Sequence, residues 1–283
     1  METKQSLKVL NIGNSFSNSL KVFFPDVVAS AGCELHLEGA SHGGCELHRH
    51  WKYISDEESD GVYSLYQDRR FKLREILARE AWDIISIQQA SHYSWKPETY
   101  QPYANNIYEY IKRFAPNAEV VIQQTWAYRA DDPRIQANGL WGINQQEMYD
   151  RLTDAYQRLS KDLGGLRIVP VGLAVQLARA KQEKPFENYP ATLLNTLRWP
   201  DLPPQGGSLV GACSWKKDEE GKLFIRRDTI HLNERGEFLQ ACVWFAKLYG
   251  RPTSEITFKP SMIADDDIEF LKAIAQEAVD TGV

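Results

Sequence analysis

Several features that would assign this chain to a specialised class are missing. It has only four cysteines in 283 residues (Cys33, Cys45, Cys213 and Cys242), and their spacing is unpaired. That excludes a zinc ribbon and a disulfide scaffold. Buried free thiols are the expectation, because an unpaired Cys packs as a small hydrophobe. A Cys33–Cys45 bridge in an oxidising compartment is the alternative. No run of about 18 apolar residues occurs, which excludes a membrane-spanning helix. Positive charge is not in excess: the net charge is −5, the wrong sign for a nucleic-acid face. The first twelve residues are too short and too polar for an export signal. A leader on a longer precursor stays open, and so does the compartment. Internal repeats and low-complexity tracts are absent, and no obligate protein partner is indicated.

What is present is an ordinary globular balance, 43% hydrophobic and 25% charged. The length suits one large α/β domain, taken as residues 1–283. Eight Trp and thirteen Tyr stand out. Aromatics build cores, and a flat ring face also stacks on a sugar.

Strand-like and helix-like segments alternate along the chain. Apolar runs at 7–12, 34–38, 82–88, 119–123 and 166–170 read as strands. Helical periodicity marks 19–31, 71–80, 100–114, 145–163, 236–249 and 267–278. This alternation predicts a three-layer α/β/α sandwich around a mostly parallel five-stranded sheet. The strands are continuous apolar runs, as expected when both sheet faces are covered. Two stretches break the pattern and read as long loop insertions, at about 48–68 and 184–223.

Sites in such sheets gather at the carboxyl ends of the strands. The turn after the first strand reads Gly13-Asn14-Ser15-Phe16-Ser17. A serine between a strand and a helix presents its hydroxyl, and the backbone N–H groups there suit an oxyanion. The same composition also suits a helix cap. A nucleophilic serine needs a base, and the base needs an orienting group. His231 with Asp228 three residues earlier, just ahead of the helix at Gly236, is the strongest candidate pair.

The ordered set of Ser15, Gly44, the polar end of the third strand and Asp228-x-x-His231 resembles the SGNH (GDSL-type) hydrolase superfamily. A branch catalogued only as a domain of unknown function matches more closely. Its marks stand in order as Gly13-Asn14-Ser15-Phe16-Ser17, Gly43-Gly44-Cys45, Gln88-Gln89-Ala90-Ser91, Thr125-Trp126-Ala127-Tyr128, Gln146 with Met148-Tyr149, Pro170-Val171-Gly172 and Arg227-Asp228 with His231-Leu232. The resemblance covers about residues 7–250 and implies the SGNH, flavodoxin-like sheet. It also implies a catalytic Ser15, His231 and Asp228, oxyanion donors from the Ser15 and Gly44 amides, and no cofactor. One departure is visible. The superfamily's third-block Asn is absent, and Gln88 or Gln89 is expected to supply its amide, since Gln carries the same donors on a longer stem.

The expected function is therefore a serine esterase removing short acyl groups, such as acetyl, from a small-molecule or glycan ester. Asn14, His92, Trp126 and Tyr128 are the candidate substrate contacts, with Trp141, Trp199 and Trp215 as further aromatic candidates. A carbohydrate-binding relative without hydrolysis, or an acyltransferase, are the alternatives. His42, His48 and His50 fall within nine residues, yet no partner carboxylate or Cys is well spaced, so no metal is expected. His50 is expected to shape its loop. Arg179 and Arg226 are expected to pair with nearby carboxylates, contact with an anionic substrate being the alternative.

Overall fold

The computed structural model describes residues 5–60, 64–136, 138–190 and 192–282. Its elements run, in chain order, β1 (Ser6–Gly13), α1 (Ser15–Asn18), α2 (Leu20–Ser30), β2 (Glu34–Ser41), α3 (Leu47–Asp60), α4 (Leu73–Arg79), β3 (Ile84–Ile87), α5 (Tyr103–Phe114), β4 (Glu119–Gln123), α6 (Gln145–Asp162), β5 (Ile168–Val169), α7 (Val171–Lys181), α8 (Leu193–Thr196), β6 (Val210–Lys217), β7 (Leu223–Leu232), α9 (Glu234–Tyr249) and α10 (Asp265–Thr281).

Five strands form one parallel sheet in the order β2-β1-β3-β4-β5. Its inner strands are buried on both faces: Leu7, Val9, Leu10, Ile84, Ile85, Val121 and Ile122 are all shielded. This is why they read as unbroken apolar runs. The order reverses between β1 and β3, and a crevice at the carboxyl ends of such strands is where α/β sheets bind ligands. Ser15 lies two residues past the end of β1, at that reversal.

Two expectations fail in instructive ways. Most of the stretch taken as a loop at 48–68 is α3, with Leu47, His50, Ile54 and Glu57 turned inward; residues 61–63 lie outside the described residues. Its inward face carries a His and a Glu, so its helical period is not an apolar one. The stretch 184–223 holds α8 and all of β6, the first half of an antiparallel hairpin with β7; residue 191 lies outside the described residues. The hairpin was hidden because its strands are only partly buried and its polar and apolar residues do not alternate regularly.

α9 is buried nearly all round, Phe238, Leu239, Val243, Trp244 and Phe245 included. It packs against α2, α7 and α10, so its apolar residues do not keep to the single face its sequence suggests. β5 is shorter than its apolar run. It pairs only with β4, and Pro170, which lacks an N–H, ends it.

Candidate active site

Asn14 caps α1. Its Oδ1 accepts from Phe16 N at 3.0 Å, a capping bond that stabilises by about 1 kcal/mol. The same oxygen accepts from Gln88 Nε2 at 2.8 Å, and Asn14 Nδ2 donates to the Cys45 carbonyl at 3.1 Å. One side chain thus ties the Ser15 turn to the end of β3 and to the loop after β2. The Gly13 carbonyl is held by the His42 amide at 3.2 Å and by His50 Nε2 at 2.9 Å. His50 Nδ1 then accepts a hydrogen bond from the Tyr66 hydroxyl at 3.0 Å. Burial pushes the His50 pKa down to about 4, so the ring stays neutral and keeps that tautomer.

Beneath the turn runs a chain of buried amides. Gln123 hydrogen-bonds Gln88, and its Nε2 also donates to the Phe16 carbonyl at 3.2 Å. Gln240 Nε2 donates to the same carbonyl at 3.1 Å and to Gln123 Oε1 at 3.1 Å, while Ser19 Oγ donates to Gln240 Oε1 at 2.7 Å. Trp244 Nε1 completes Gln123 Oε1 at 2.9 Å. A buried polar network with its partners in place rigidifies what it holds.

Asp228 and His231 lie within the last turn of β7, and the hairpin's register explains how they meet. Ala212 pairs with Asp228 and Val210 with Leu232. Between those pairs β6 has only Gly211, whereas β7 has Thr229, Ile230 and His231. The surplus loops out, and residues three apart, which a regular strand would send to opposite faces, come to one side. Asp228 Oδ1 accepts from the Ile230 and His231 amides at 2.9 and 3.0 Å. Its Oδ2 lies 2.7 Å from His231 Nδ1. Partial burial works against the Asp228 charge, but the His231 ring and the two amides outweigh it and hold the carboxyl well below its usual range.

His231 Nε2 lies 2.9 Å from Ser15 Oγ. The looped segment is braced from behind. Thr229 Oγ1 donates to Asp132 at 2.6 Å, the Arg129 amide donates to the Thr229 carbonyl at 2.9 Å, and Trp126 Nε1 donates to the Ile230 carbonyl at 2.8 Å. Trp126 also stacks flat on Phe16 at 4.1 Å between ring centres, and Phe16 meets the His231 ring edge-on at 5.5 Å. Serine and histidine are therefore spaced by one aromatic stack. The Ser15 and Gly44 amides donate to no group among the described residues, and Gly44 takes a φ of 58°, the left-handed region glycine favours.

Residues 8–190 match the family described as "Domain of unknown function (DUF4886)". The chain belongs to the DUF4886 family. A DUF4886 family protein from Bacteroides uniformis shares the fold, with a TM-score of 0.75 over 97% of this chain and 95% of that one at 24% identity. A protein from Slackia heliotrinireducens, described as a candidate SGNH hydrolase, superposes at a TM-score of 0.50 over 84% of this chain and 96% of that one at 20% identity. The fold is thus that of the SGNH hydrolases. No curated protein matches.

In this DUF4886 chain the structure brings Ser15, His231 and Asp228 together and sends other expected site residues elsewhere. Gln89 Oε1 accepts from the Leu47 and Ala90 amides, and its Nε2 donates to Thr99. Gln88 is spent on Asn14 and Gln123. Gln89 is thus committed to buried backbone and Thr99, as most buried amides are, and Gln88 is held in the buried amide chain beneath the turn rather than turned toward Ser15 Oγ. Three expected substrate contacts are corrected for a similar reason. Asn14, Trp126 and Tyr128 are fully buried, Tyr128 with its hydroxyl 2.9 Å from Ser91 Oγ. His92 keeps an exposed edge, with its Nε2 2.9 Å from Glu46 Oε1. Trp141 packs between Trp95 and Tyr128, and Trp199 stands largely exposed.

All four cysteines are free and buried. Among the described residues no group of three His, Cys, Asp or Glu could hold a metal ion, and no helix is long and apolar enough to cross a membrane. Sequence reasoning passed over Gln123, Gln240, Asp132 and Thr229. The available signal was a polar side chain inside an otherwise apolar segment, visible at Gln123 and Gln240.

Proposed function

We propose that the protein is a serine acyl-ester hydrolase. The observation that carries this reading is the continuous chain from Ser15 Oγ through His231 to Asp228, at 2.9 and 2.7 Å. Ser15 Oγ attacks the ester carbonyl as its proton passes to His231 Nε2. Asp228 holds the ring through Nδ1–H and stabilises the imidazolium that forms. The carbonyl oxygen becomes an oxyanion and accepts from the uncommitted Ser15 and Gly44 amides. The proton on His231 then goes to the departing alcohol oxygen, leaving an acyl-Ser15. A water, deprotonated by His231, attacks that acyl group and releases the carboxylic acid.

The substrate class we propose is a short acyl ester, such as an acetate, on a carbohydrate. Its support is the rim beside Gly44. Tyr93 contacts both His48 and His92 there, Tyr103 meets His48, and Glu46 adds a carboxylate. Ring faces interleaved with hydrogen-bonding groups suit a sugar.

The test is hydrolysis of p-nitrophenyl acetate and acetylated sugars by the wild type and by Ser15→Ala, with a fluorophosphonate probe to label the serine. Turnover and labelling at Ser15 in the wild type, both lost in the variant, are expected. Identical background rates for both proteins on every ester would overturn the reading.

A further inference from the structure

A cavity of about 130 Å3 lies between α7 and the start of β6, walled by Arg129, Arg179, Gln182, Phe186, Leu209 and Val210 among others. A single water needs only about 10–15 Å3 of such space, so the cavity has room for a molecule of several heavy atoms.

Its charges do not balance. Arg129 is 1% exposed and grips Asp131 at 2.6 and 2.9 Å, while Arg134 grips Asp132 at 2.8 and 2.6 Å. Arg227 shares Asp131 at 3.5 Å. Arg179 has no carboxylate partner among the described residues, against expectation. Its Nη2 donates to the carbonyls of Ala127 and Tyr128 at 2.9 and 3.3 Å. The Nη1 atoms of both Arg179 and Arg129 are shut off from solvent without a hydrogen-bond partner. Burial pushes the Arg179 pKa down only to about 9, so the guanidinium is charged at neutral pH. A partly buried cation without a counter-charge is costly, and with four arginines facing only Asp131 and Asp132, a carboxylate on Arg179 would supply the partner it lacks.

We propose that this cavity binds a small monocarboxylate, its carboxylate on Arg179 and its alkyl tail against Phe186, Leu209 and Val210. A guanidinium presents a planar fork that matches a carboxylate, and the apolar wall favours an alkyl tail over a halide. The site stands apart from Ser15, yet it borders the strand that supports the base. The Ser208 and Leu209 carbonyls accept from Asn233, the cap of α9, at 2.8 and 3.1 Å. Asn233 lies two residues after His231. An occupant therefore stiffens the support of the hairpin that carries His231.

The test is calorimetric titration of the Ser15→Ala protein with sodium propionate at fixed ionic strength, with propionamide as the neutral control. Saturable binding of propionate, none of propionamide and affinity lowered about tenfold or more in Arg179→Met are expected. Crystals of the otherwise unaltered protein grown with propionate should show the acid in the cavity, a readout that does not depend on the variant folding. Water alone in that cavity, equal binding of propionamide, or undiminished affinity in a folded Arg179→Met would overturn the proposal. The Ser15→Ala background lacks the nucleophile, so failure here leaves the proposed hydrolysis standing, and failure of hydrolysis leaves this site standing.

Discussion

Gly211 lies hard against Asp228: a Cβ added to Gly211 would stand 2.4 Å from the Asp228 carbonyl oxygen. Gly211 also adopts a φ of 83°, where a side chain costs about 1–2 kcal/mol before any clash. The single residue on β6 opposite three on β7 can therefore only be glycine. Gly211→Ala is expected to destabilise the fold by more than about 2 kcal/mol and to abolish ester hydrolysis. Urea unfolding and p-nitrophenyl acetate assays read the two effects. A stable, fully active variant would mean the hairpin register does not set the Asp228–His231 pair.

Asp228→Asn should keep an acceptor for the backbone amides but lose the charge that orients His231. A fall in kcat of about 10,000-fold with little change in KM is expected, the scale seen when an acid of this kind is neutralised. Steady-state kinetics and the rate of fluorophosphonate labelling check it. A loss under tenfold would remove Asp228 from the proposed mechanism.

Trp126→Phe removes the N–H that satisfies the Ile230 carbonyl and weakens the stack beneath Phe16. Leaving that carbonyl unpaired should cost about 1–3 kcal/mol of stability. Because His231 follows Ile230 directly, kcat is expected to fall about tenfold while KM holds. Equal loss in both parameters would instead point to direct contact between Trp126 and substrate.

Gln89→Ala tests the oxyanion assignment. Four hydrogen bonds converge on that fully buried amide, so the variant should lose about 1–3 kcal/mol or more of stability. Its kcat per active site, counted by fluorophosphonate titration, should stay within about threefold of wild type, since losing a true oxyanion donor costs about 100- to 1000-fold. A drop of that larger size would return Gln89 to the oxyanion hole.

His50 gives the stability a pH dependence of known sign. Its pKa is about 4 in the fold and about 6.5 in an unfolded chain. Between those values the unfolded chain holds the extra proton, so stability falls as pH falls through that window. Going from pH 7.5 to 5, the advantage of wild type over His50→Gln should shrink by about 2 kcal/mol. Glu237, whose pKa burial beside Glu234 raises to about 7, tilts stability the other way but cancels in the comparison. Urea unfolding at the two pH values measures it.

The sheet was legible because its strands are continuous apolar runs bounded by turn residues, and Glu119–Gln123 reads from the sequence with the bounds it has in the structure. Ser15, Asp228 and His231 were legible through an ordered motif. The hairpin was not: Lys216, Lys217, Phe224 and Arg226 give it no apolar face to read. α7 was hidden by Pro170-Val171-Gly172, which looks like a turn, although Pro170 stands just before the first helical residue. Gln88 and Gln89 were placed in the oxyanion hole because chemistry alone cannot distinguish a catalytic amide from one that satisfies buried backbone. Only the partners of each amide decide that.

The family match ends at residue 190, whereas Asp228 and His231 hang on the hairpin beyond it. Membership in DUF4886, judged on that span, therefore includes Ser15 and says nothing of Asp228 and His231. A relative could keep every matched residue and have no general base. If the proposed hydrolysis holds, the forty-odd residues downstream carry the test for it in other members, and one glycine facing three residues is the mark to look for.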